Sequence, residues 1–204
     1  MKILLTAFDP FGGETVNPAL EAVKAVRGVV AGAEIVKLTV PTVFGKSVET
    51  VYEAMKRERP DAVLSVGQAA GRAGLSVERV AINLEDASVA DNKGQKPVDT
   101  PVVPGGPTAY FATIPVKAMV ERINAAGVPA AVSNTAGTFV CNHLMYGVLY
   151  HAAREFPGVR AGFIHVPYLP EQTLDKPGAP SLSREDIAKG IEAAVEAIAE
   201  SDGI

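Results

Sequence analysis

The sequence predicts an α/β fold built from layers of helices and strands. Segments with the pattern of strands alternate with segments that have helical periodicity, as is typical of layered α/β proteins. The strand predicted at residues 62–67 is a continuous apolar run, the pattern of a strand that is covered on both faces. Only about eight residues separate it from the next strand, at 76–83, which is too few for a helical crossover. We therefore expect these two strands to be antiparallel neighbours.

Six strands and five helices are predicted in chain order. The strands are at residues 2–7, 34–40, 62–67, 76–83, 130–133 and 160–166. The helices are at residues 18–26, 44–59, 116–126 and 138–153, with a last one after Ser183. Asn17 and Pro18 favour the start of the first helix, because asparagine is a good cap and proline suits the first helical position. The polar segment 85–107, rich in proline and glycine, is a long loop of the kind that is often functional.

The composition predicts one globular domain of 204 residues with an apolar fraction of 48%. The net charge is −4 and no basic cluster is present, which argues against a nucleic-acid partner. No apolar run has the length of a membrane span, and the N-terminal segment has the pattern of a first strand, not of a signal peptide. A single cysteine fits a protein of the reducing cytoplasm.

Cys141, the only cysteine, lies in the first turn of the helix predicted at 138–153. Free backbone N–H groups and the helix dipole favour a thiolate at that position, and a thiolate among N–H donors is suited to acyl transfer. The same residue also begins an apolar stripe along the helix. A thiol that only packs in the core is therefore the alternative interpretation.

One of the three histidines is placed to act with Cys141. His143 and His151 follow it on the same helix, at spacings that point them away from the thiol or carry them out of reach. His165 ends the strand 160–166, and ligands of open α/β sheets bind at the carboxyl ends of strands. Because the strand before Cys141 is also expected to be parallel and to end at this edge, we predict a Cys–His pair. The alternative is a histidine that only ends a strand.

Glu78 is the candidate third member of this group. If strand 76–83 runs antiparallel beside strand 62–67, its start lies at the edge where the Cys–His pair is expected. By alternation Glu78 shares a face with apolar residues, and a carboxylate in such a place needs a partner. That partner is either His165, as in a catalytic triad, or a nearby arginine such as Arg72.

Phe8 and Phe11 leave the first strand at the same edge of the predicted sheet. Two rings in this position, close to the start of a helix, are compatible with the wall of a ligand pocket. On the residues alone, the usual explanation is a packed loop that buries two aromatic side chains, and the residue pattern favours it over a pocket.

Together these segments resemble the pyroglutamyl peptidase I (pyrrolidone-carboxylate peptidase) family of cysteine peptidases. The matching segments are residues 5–13 with 17–18, 67–72, 78–83, 91–92, 133–142 and 165–167. They occur in the family's order and span about four fifths of the chain, so the set is specific although each segment alone is weak. One departure is Ser88, which stands where family members often have an arginine.

The resemblance implies a three-layer α/β/α sandwich with a mixed, mostly parallel twisted sheet, formed by one catalytic domain over residues 1–204. It implies a cysteine exopeptidase that removes N-terminal pyroglutamate from peptides through a thioacyl-enzyme, without a cofactor or metal. It implies that Glu78, Cys141 and His165 form the catalytic triad. The residues that it implies for the lactam pocket are Phe8, Phe11, Gln68, Phe139 and Val140. It also implies a cytoplasmic homodimer or homotetramer.

Two other classes of function remain compatible with the residue pattern alone. One is a non-catalytic ligand-binding α/β domain in which Cys141 is part of the core. The other is a redox-sensing thiol protein, in which Cys141 is oxidised reversibly and no amide is hydrolysed.

Overall fold

The structure is a computed structural model that describes residues 1–201. Its strands are β1 (Lys2–Phe8), β2 (Val29–Val30), β3 (Ala33–Val40), β4 (Ala62–Gln68), β5 (Leu75–Glu78), β6 (Val80–Ile82), β7 (Ala109–Phe111), β8 (Ala130–Ser133) and β9 (Arg160–Val166). Seven of them form one twisted sheet in the order β2-β3-β1-β4-β9-β5-β8, and β6 pairs with β7 in a separate ribbon.

Five helices flank the sheet within the described residues. They are α1 (Pro18–Ala25), α2 (Lys46–Glu58), α3 (Val116–Ala125), α4 (Val140–Glu155) and α5 (Arg184–Glu200). α1 and α3 both pack against α5, while α2 packs against α4 on the other side of the sheet. This is a three-layer α/β/α sandwich, and the predicted fold class is confirmed.

Helix starts follow the capping residues that the sequence indicates. Asn17 caps α1, and its side-chain oxygen accepts the backbone N–H of Ala19 at 3.0 Å. Ser183 caps α5 in the same way, accepting the N–H of Asp186 at 3.0 Å. Each bond satisfies an N–H group that has no partner inside its own helix, which explains why the helices begin there.

The centre of the sheet is parallel and apolar. β3, β1, β4 and β9 all run in the same direction, so their carboxyl ends meet at one edge. β4 is buried over nearly its whole length, as expected for a strand with helices on both faces. The core therefore fixes the carboxyl edge of four adjacent strands, where the candidate residues lie.

The prediction of one strand at residues 76–83 was wrong in two respects. The run breaks at Arg79, so that β5 lies in the main sheet and β6 lies in the ribbon with β7. The backbone N–H of Arg79 bonds to Ser133, whereas its carbonyl accepts from Ala112, and the chain changes partners at this residue. β5 is also not a neighbour of β4. β5 runs antiparallel to β9, which lies between β4 and β5. The short connection after β4 accounts for the reversed direction of β5, but it does not determine which strand β5 pairs with.

The strand before Cys141 was also predicted with the wrong direction. β8 is parallel to β5, which is antiparallel to β9, so β8 does not end at the same edge as β9. The segment 134–139 leads from the end of β8 to the start of α4. Cys141 consequently reaches the site through this segment and not through a shared strand edge. α4 begins at Val140, two residues later than predicted.

Candidate active site

A row of in-register residues crosses the sheet near its carboxyl edge. Gly67 on β4 pairs with His165 on β9, and His165 is opposite Ser76 on β5. In-register residues of neighbouring strands point to the same face of the sheet. The imidazole of His165 and the open space above Gly67 are therefore side by side.

Cys141 occupies that space. A β-carbon built on Gly67 would come within 3.0 Å of the Sγ of Cys141 and 2.8 Å of the Phe163 ring. The thiol therefore lies directly over the glycine, beside the strand position of His165. A larger residue at this position would press against both the sulfur and the Phe163 ring.

Asn142 fixes the beginning of α4 next to this point. Its side-chain oxygen accepts the backbone N–H of Ile82 at 2.9 Å, and its amide nitrogen donates to the carbonyls of Ile82 at 2.9 Å and Leu84 at 3.0 Å. The side chain is buried, and its three bonds tie the helix to the end of β6. Because Asn142 follows Cys141 directly, these bonds also restrict where the thiol can lie. Sequence reasoning missed this role.

Glu78 holds the other side of the imidazole. Its Oε1 lies 2.7 Å from Nδ1 of His165, and both side chains are buried. The same oxygen accepts from the guanidinium of Arg72 at 2.8 Å, and Arg72 also donates to the carbonyl of Thr135 at 3.1 Å. The two partners considered for Glu78 from the sequence are thus present together. Arg72 additionally links the carboxylate to the segment that leads into α4.

The electrostatics of the site favour neutral forms of the thiol and the imidazole. Burial and the negative charge of Glu78 raise the pKa of the Cys141 thiol to about 12, against the opposing effect of the Arg72 cation. This is contrary to the expectation that the helix N-terminus stabilises a thiolate. Burial lowers the pKa of His165, and the Arg72 cation adds to that effect, although the hydrogen bond and charge of Glu78 oppose it. His165 is therefore an available proton acceptor near neutral pH.

The predicted pocket residues fall into two groups. The rings of Phe11 and Phe139 meet with centroids 6.1 Å apart, so the structure brings these two distant segments together. Phe8 is buried deeper and packs against Phe163 at 6.4 Å, below the same site. Val140 is fully buried at the first position of α4, and Gln68 is half-buried at the end of β4.

Phe44 is an aromatic residue of this region that sequence reasoning missed. Its ring packs edge-on against Phe139 with centroids 5.4 Å apart. It lies in the connection between β3 and α2, which the sequence assigned to the start of a helix. Gly45 has a φ of 71°, which is not a helical conformation, so α2 begins at Lys46 and Phe44 lies outside the helix.

The loop at residues 85–107 is fastened to this region by Asp91. The Asp91 carboxylate accepts the backbone N–H groups of Phe44 at 2.9 Å, Lys93 at 2.8 Å and Gln95 at 2.8 Å. Burial alone would raise its pKa, but these N–H groups and the Gln95 side chain hold the pKa of Asp91 below its ordinary value. Ser88, the departure noted in the sequence, is exposed on the same loop.

Within residues 1–201, no group of three or more His, Cys, Asp or Glu side chains is placed to hold a metal ion. No helix in that range combines the length and apolar character needed to cross a membrane.

Comparison with known proteins identifies the family. The family model described as pyroglutamyl peptidase matches residues 1–201. The chain is 56% identical over 203 residues to the pyrrolidone-carboxylate peptidase of Lactobacillus johnsonii, covering 100% of this chain and 94% of that protein. It is 57% identical over 199 residues to that of Thermoanaerobacter sp., covering 98% of each.

Solved structures agree with this assignment. The crystal structure of pyroglutamyl peptidase I from Bacillus amyloliquefaciens superposes with a TM-score of 0.95 at 53% identity, covering 98% of this chain and 97% of that one. A mutant pyrrolidone carboxyl peptidase from Pyrococcus furiosus superposes with a TM-score of 0.94 at 41% identity, covering 98% and 99%. The chain therefore belongs to the pyroglutamyl peptidase family of cysteine-type omega peptidases, and it is a hydrolase.

Proposed function

We propose that Cys141, His165 and Glu78 are the catalytic triad with which this peptidase removes N-terminal pyroglutamate from peptides. One observation carries the proposal. The Sγ of Cys141 lies over Gly67, whose register partner His165 is held by the buried carboxylate of Glu78. A thiol, a neutral base and a carboxylate that orients the base are the three parts that thiol-based acyl transfer requires.

Glu78 sets the tautomer of His165. Because the carboxylate accepts at Nδ1, the imidazole carries its proton there and leaves Nε2 free as a base. In acylation, the sulfur attacks the carbonyl carbon of the pyroglutamyl residue while the thiol proton passes to Nε2. An S–C bond forms and the carbonyl oxygen becomes an oxyanion. When this intermediate collapses, the C–N bond breaks and His165 returns the proton to the leaving amine.

Deacylation reverses these roles with water as the nucleophile. His165 takes a proton from the water as its oxygen attacks the thioester, and the C–S bond then breaks. The sulfur recovers the proton from His165, and free pyroglutamate leaves. Within residues 1–201 no hydrogen bond is made by the Sγ of Cys141, and we expect substrate binding to bring the thiol and the imidazole into hydrogen-bond contact.

The beginning of α4 is suited to hold the oxyanion. Phe139 precedes the first helical residue, and no side chain caps this end of α4 in the described structure. The N–H of His143 makes an intrahelical bond to the carbonyl of Phe139. The N–H groups that precede it, including that of Cys141, are therefore available as donors to a developing negative charge.

Phe11 and Phe139 are proposed as the walls of the lactam pocket, with Phe8 and Val140 behind them and Gln68 at the polar edge. A pyroglutamyl residue is a neutral five-membered lactam, which aromatic side chains can cover and an amide can meet with hydrogen bonds. An ordinary N-terminus would bring an ammonium group into an apolar pocket without a counter-charge. The cost of desolvating that charge gives the specificity for pyroglutamate.

The function is tested by hydrolysis of a pyroglutamyl arylamide beside the prolyl and alanyl analogues. We expect turnover of the pyroglutamyl compound alone, and loss of that turnover in Cys141→Ser with the fold retained. Equal turnover of the three compounds would contradict the proposed pocket. Reversible oxidation of the thiol in a protein without amide hydrolysis would support the redox-sensing alternative.

We further propose that residues 1–204 act as a single catalytic domain, in the cytoplasm, as a homodimer or homotetramer. Phe111 on the edge strand β7 is 70% exposed, and Leu174 is 88% exposed. In the part of the chain that the structure describes, the unpaired edge of β7, with its exposed aromatic ring, is a place where a second chain can pack. Light scattering coupled to gel filtration measures the mass in solution, and a monomer at micromolar concentration would contradict the oligomer.

A further inference from the structure

A second pair of histidine and glutamate, in which the histidine is buried and the glutamate is partly buried, lies beside the proposed site and has no part in the triad chemistry. His143 is only 5% exposed, although it is on the same helix as Cys141. Its Nδ1 lies 2.5 Å from Oε1 of Glu85, and its Nε2 accepts the backbone N–H of Gly45 at 2.9 Å. One imidazole therefore joins α4, the loop after β6 and the turn before α2.

The two contacts define the protonation of this imidazole. Nε2 accepts from an N–H group, so it carries no proton, and the single ring proton is on Nδ1, where Glu85 accepts it. Glu85 thus selects the tautomer of His143 whose Nε2 can accept the backbone N–H of Gly45. The carboxylate is itself on a fixed segment, since the backbone of Glu85 exchanges two hydrogen bonds with Thr100, of 2.7 and 3.0 Å.

The residue held by this arrangement is Phe44, which precedes Gly45. Its ring packs edge-on against the His143 imidazole at 5.5 Å and against Phe139 at 5.4 Å. Its backbone is fastened as well, because its N–H donates to Asp91 at 2.9 Å. Phe44 therefore contacts both the His143 imidazole and the Phe139 ring.

We propose that His143 is a positioning residue for substrate binding, which acts by holding Gly45 and Phe44 so that Phe44 supports the Phe139 wall of the lactam pocket. This inference rests on the proposed pocket. His143 does not touch the substrate, and it takes no part in proton transfer at Cys141. Its loss loosens the wall of the pocket and leaves the nucleophile in place.

The experiment compares His143→Leu with His143→Gln. Leucine fills similar space but offers no acceptor to Gly45, whereas the side-chain oxygen of glutamine restores one. For a pyroglutamyl arylamide we expect KM to rise about five-fold in the leucine variant, the factor equivalent to one neutral hydrogen bond of ~1 kcal/mol. The value of kcat and the rate of Cys141 alkylation by iodoacetamide change little. Glutamine returns KM towards that of the unmodified protein.

Hydrogen exchange at the Gly45 amide gives a readout that does not depend on activity. We expect faster exchange in His143→Leu and restored protection in His143→Gln. If the leucine variant does not fold, Glu85→Ala serves in its place, because it removes the group that selects the tautomer. It is expected to raise both KM and Gly45 exchange.

The variant Phe139→Ala tests the lactam pocket independently of the role proposed for His143. A raised KM in Phe139→Ala beside an unchanged KM in His143→Leu overturns the role of His143 alone. Unchanged KM in both variants overturns the proposed pocket and this inference with it. Unchanged Gly45 exchange in His143→Leu, or equal losses of kcat and alkylation rate, also contradicts the positioning role.

Discussion

His165 and Glu78 form a buried hydrogen bond of 2.7 Å between Nδ1 and Oε1, on two antiparallel neighbouring strands. Glu78 is opposite Phe163 in the register of β5 and β9, so it reaches the imidazole diagonally. This geometry holds the imidazole through Nδ1 and leaves Nε2 without a partner among the described residues, on the face of the sheet where Cys141 lies. In the proposed mechanism, the basicity of His165 depends on this bond and on the charges around it.

Glu78→Gln is expected to lower kcat by about 10²- to 10⁴-fold, the range typical of a lost general acid–base function, with a smaller change in KM. The amide no longer favours one tautomer of His165 and cannot stabilise the imidazolium formed during acylation. Steady-state kinetics with a pyroglutamyl arylamide measure both constants. Thermal unfolding serves as the control for folding, and a raised KM with unchanged kcat would place Glu78 in the pocket instead.

Arg72→Gln is expected to move the acid limb of the kcat/KM profile to higher pH. The Arg72 cation disfavours the imidazolium and so lowers the pKa of His165, and its removal must therefore raise that pKa. Arg72→Lys is the matched control, since it keeps the positive charge and should keep the limb near its original position. Superimposable pH profiles for all three proteins would contradict this electrostatic role.

Gly67→Ala is expected to lower kcat by on the order of 10²-fold, because the added methyl group displaces the Cys141 sulfur, and small misplacements of a nucleophile have effects of that size. Gly162→Ala is the control. Its methyl group would instead crowd Ile114, so it overpacks the same sheet without touching the thiol. Comparable kcat values in the two variants at similar thermal stability would argue against the position assigned to Cys141.

Phe11→Ala is expected to weaken substrate binding by about 1–3 kcal/mol, the range for burying one large apolar side chain. Alkylation of Cys141 by iodoacetamide should be nearly unaffected, because this small reagent needs no lactam pocket. Kinetics and alkylation rates are measured on the same preparation. Parallel losses of both activities would mean that Phe11 supports the fold or the triad and does not bind the ring.

The sequence predicted the members of this site better than the path by which they meet. Residue types and the positions of strand ends indicated Cys141 and His165. A carboxylate on an apolar face needs a partner, and this requirement indicated the contact between Glu78 and His165 that the structure contains. The strand neighbours inferred on the way were wrong, since β9 separates β4 from β5 and β8 runs opposite to β9. Pairing between strands depends on distant segments, which local patterns do not encode.

Contacts made by loops were the part that could not be predicted. Phe44 and Glu85 are far apart in sequence, and only the docking of the 85–107 loop brings them to the same histidine. The helix start at Cys141 was recognised, but the effect of burial on its thiol was not, because burial depends on the completed fold. Asn142, with three hydrogen bonds to residues 82 and 84, had no distinguishing pattern in the sequence.

Cys141 is the residue proposed to carry the acyl group, and trapping that group tests this role without any assumption about the pocket. The protein is mixed with a pyroglutamyl aryl ester, quenched in acid within milliseconds and digested for mass spectrometry. We expect one pyroglutamyl group on the peptide that contains Cys141, its disappearance as turnover ends, and none on that peptide in Cys141→Ala. An acyl group on another residue, or turnover at full rate in Cys141→Ala, would show that Cys141 is not the nucleophile.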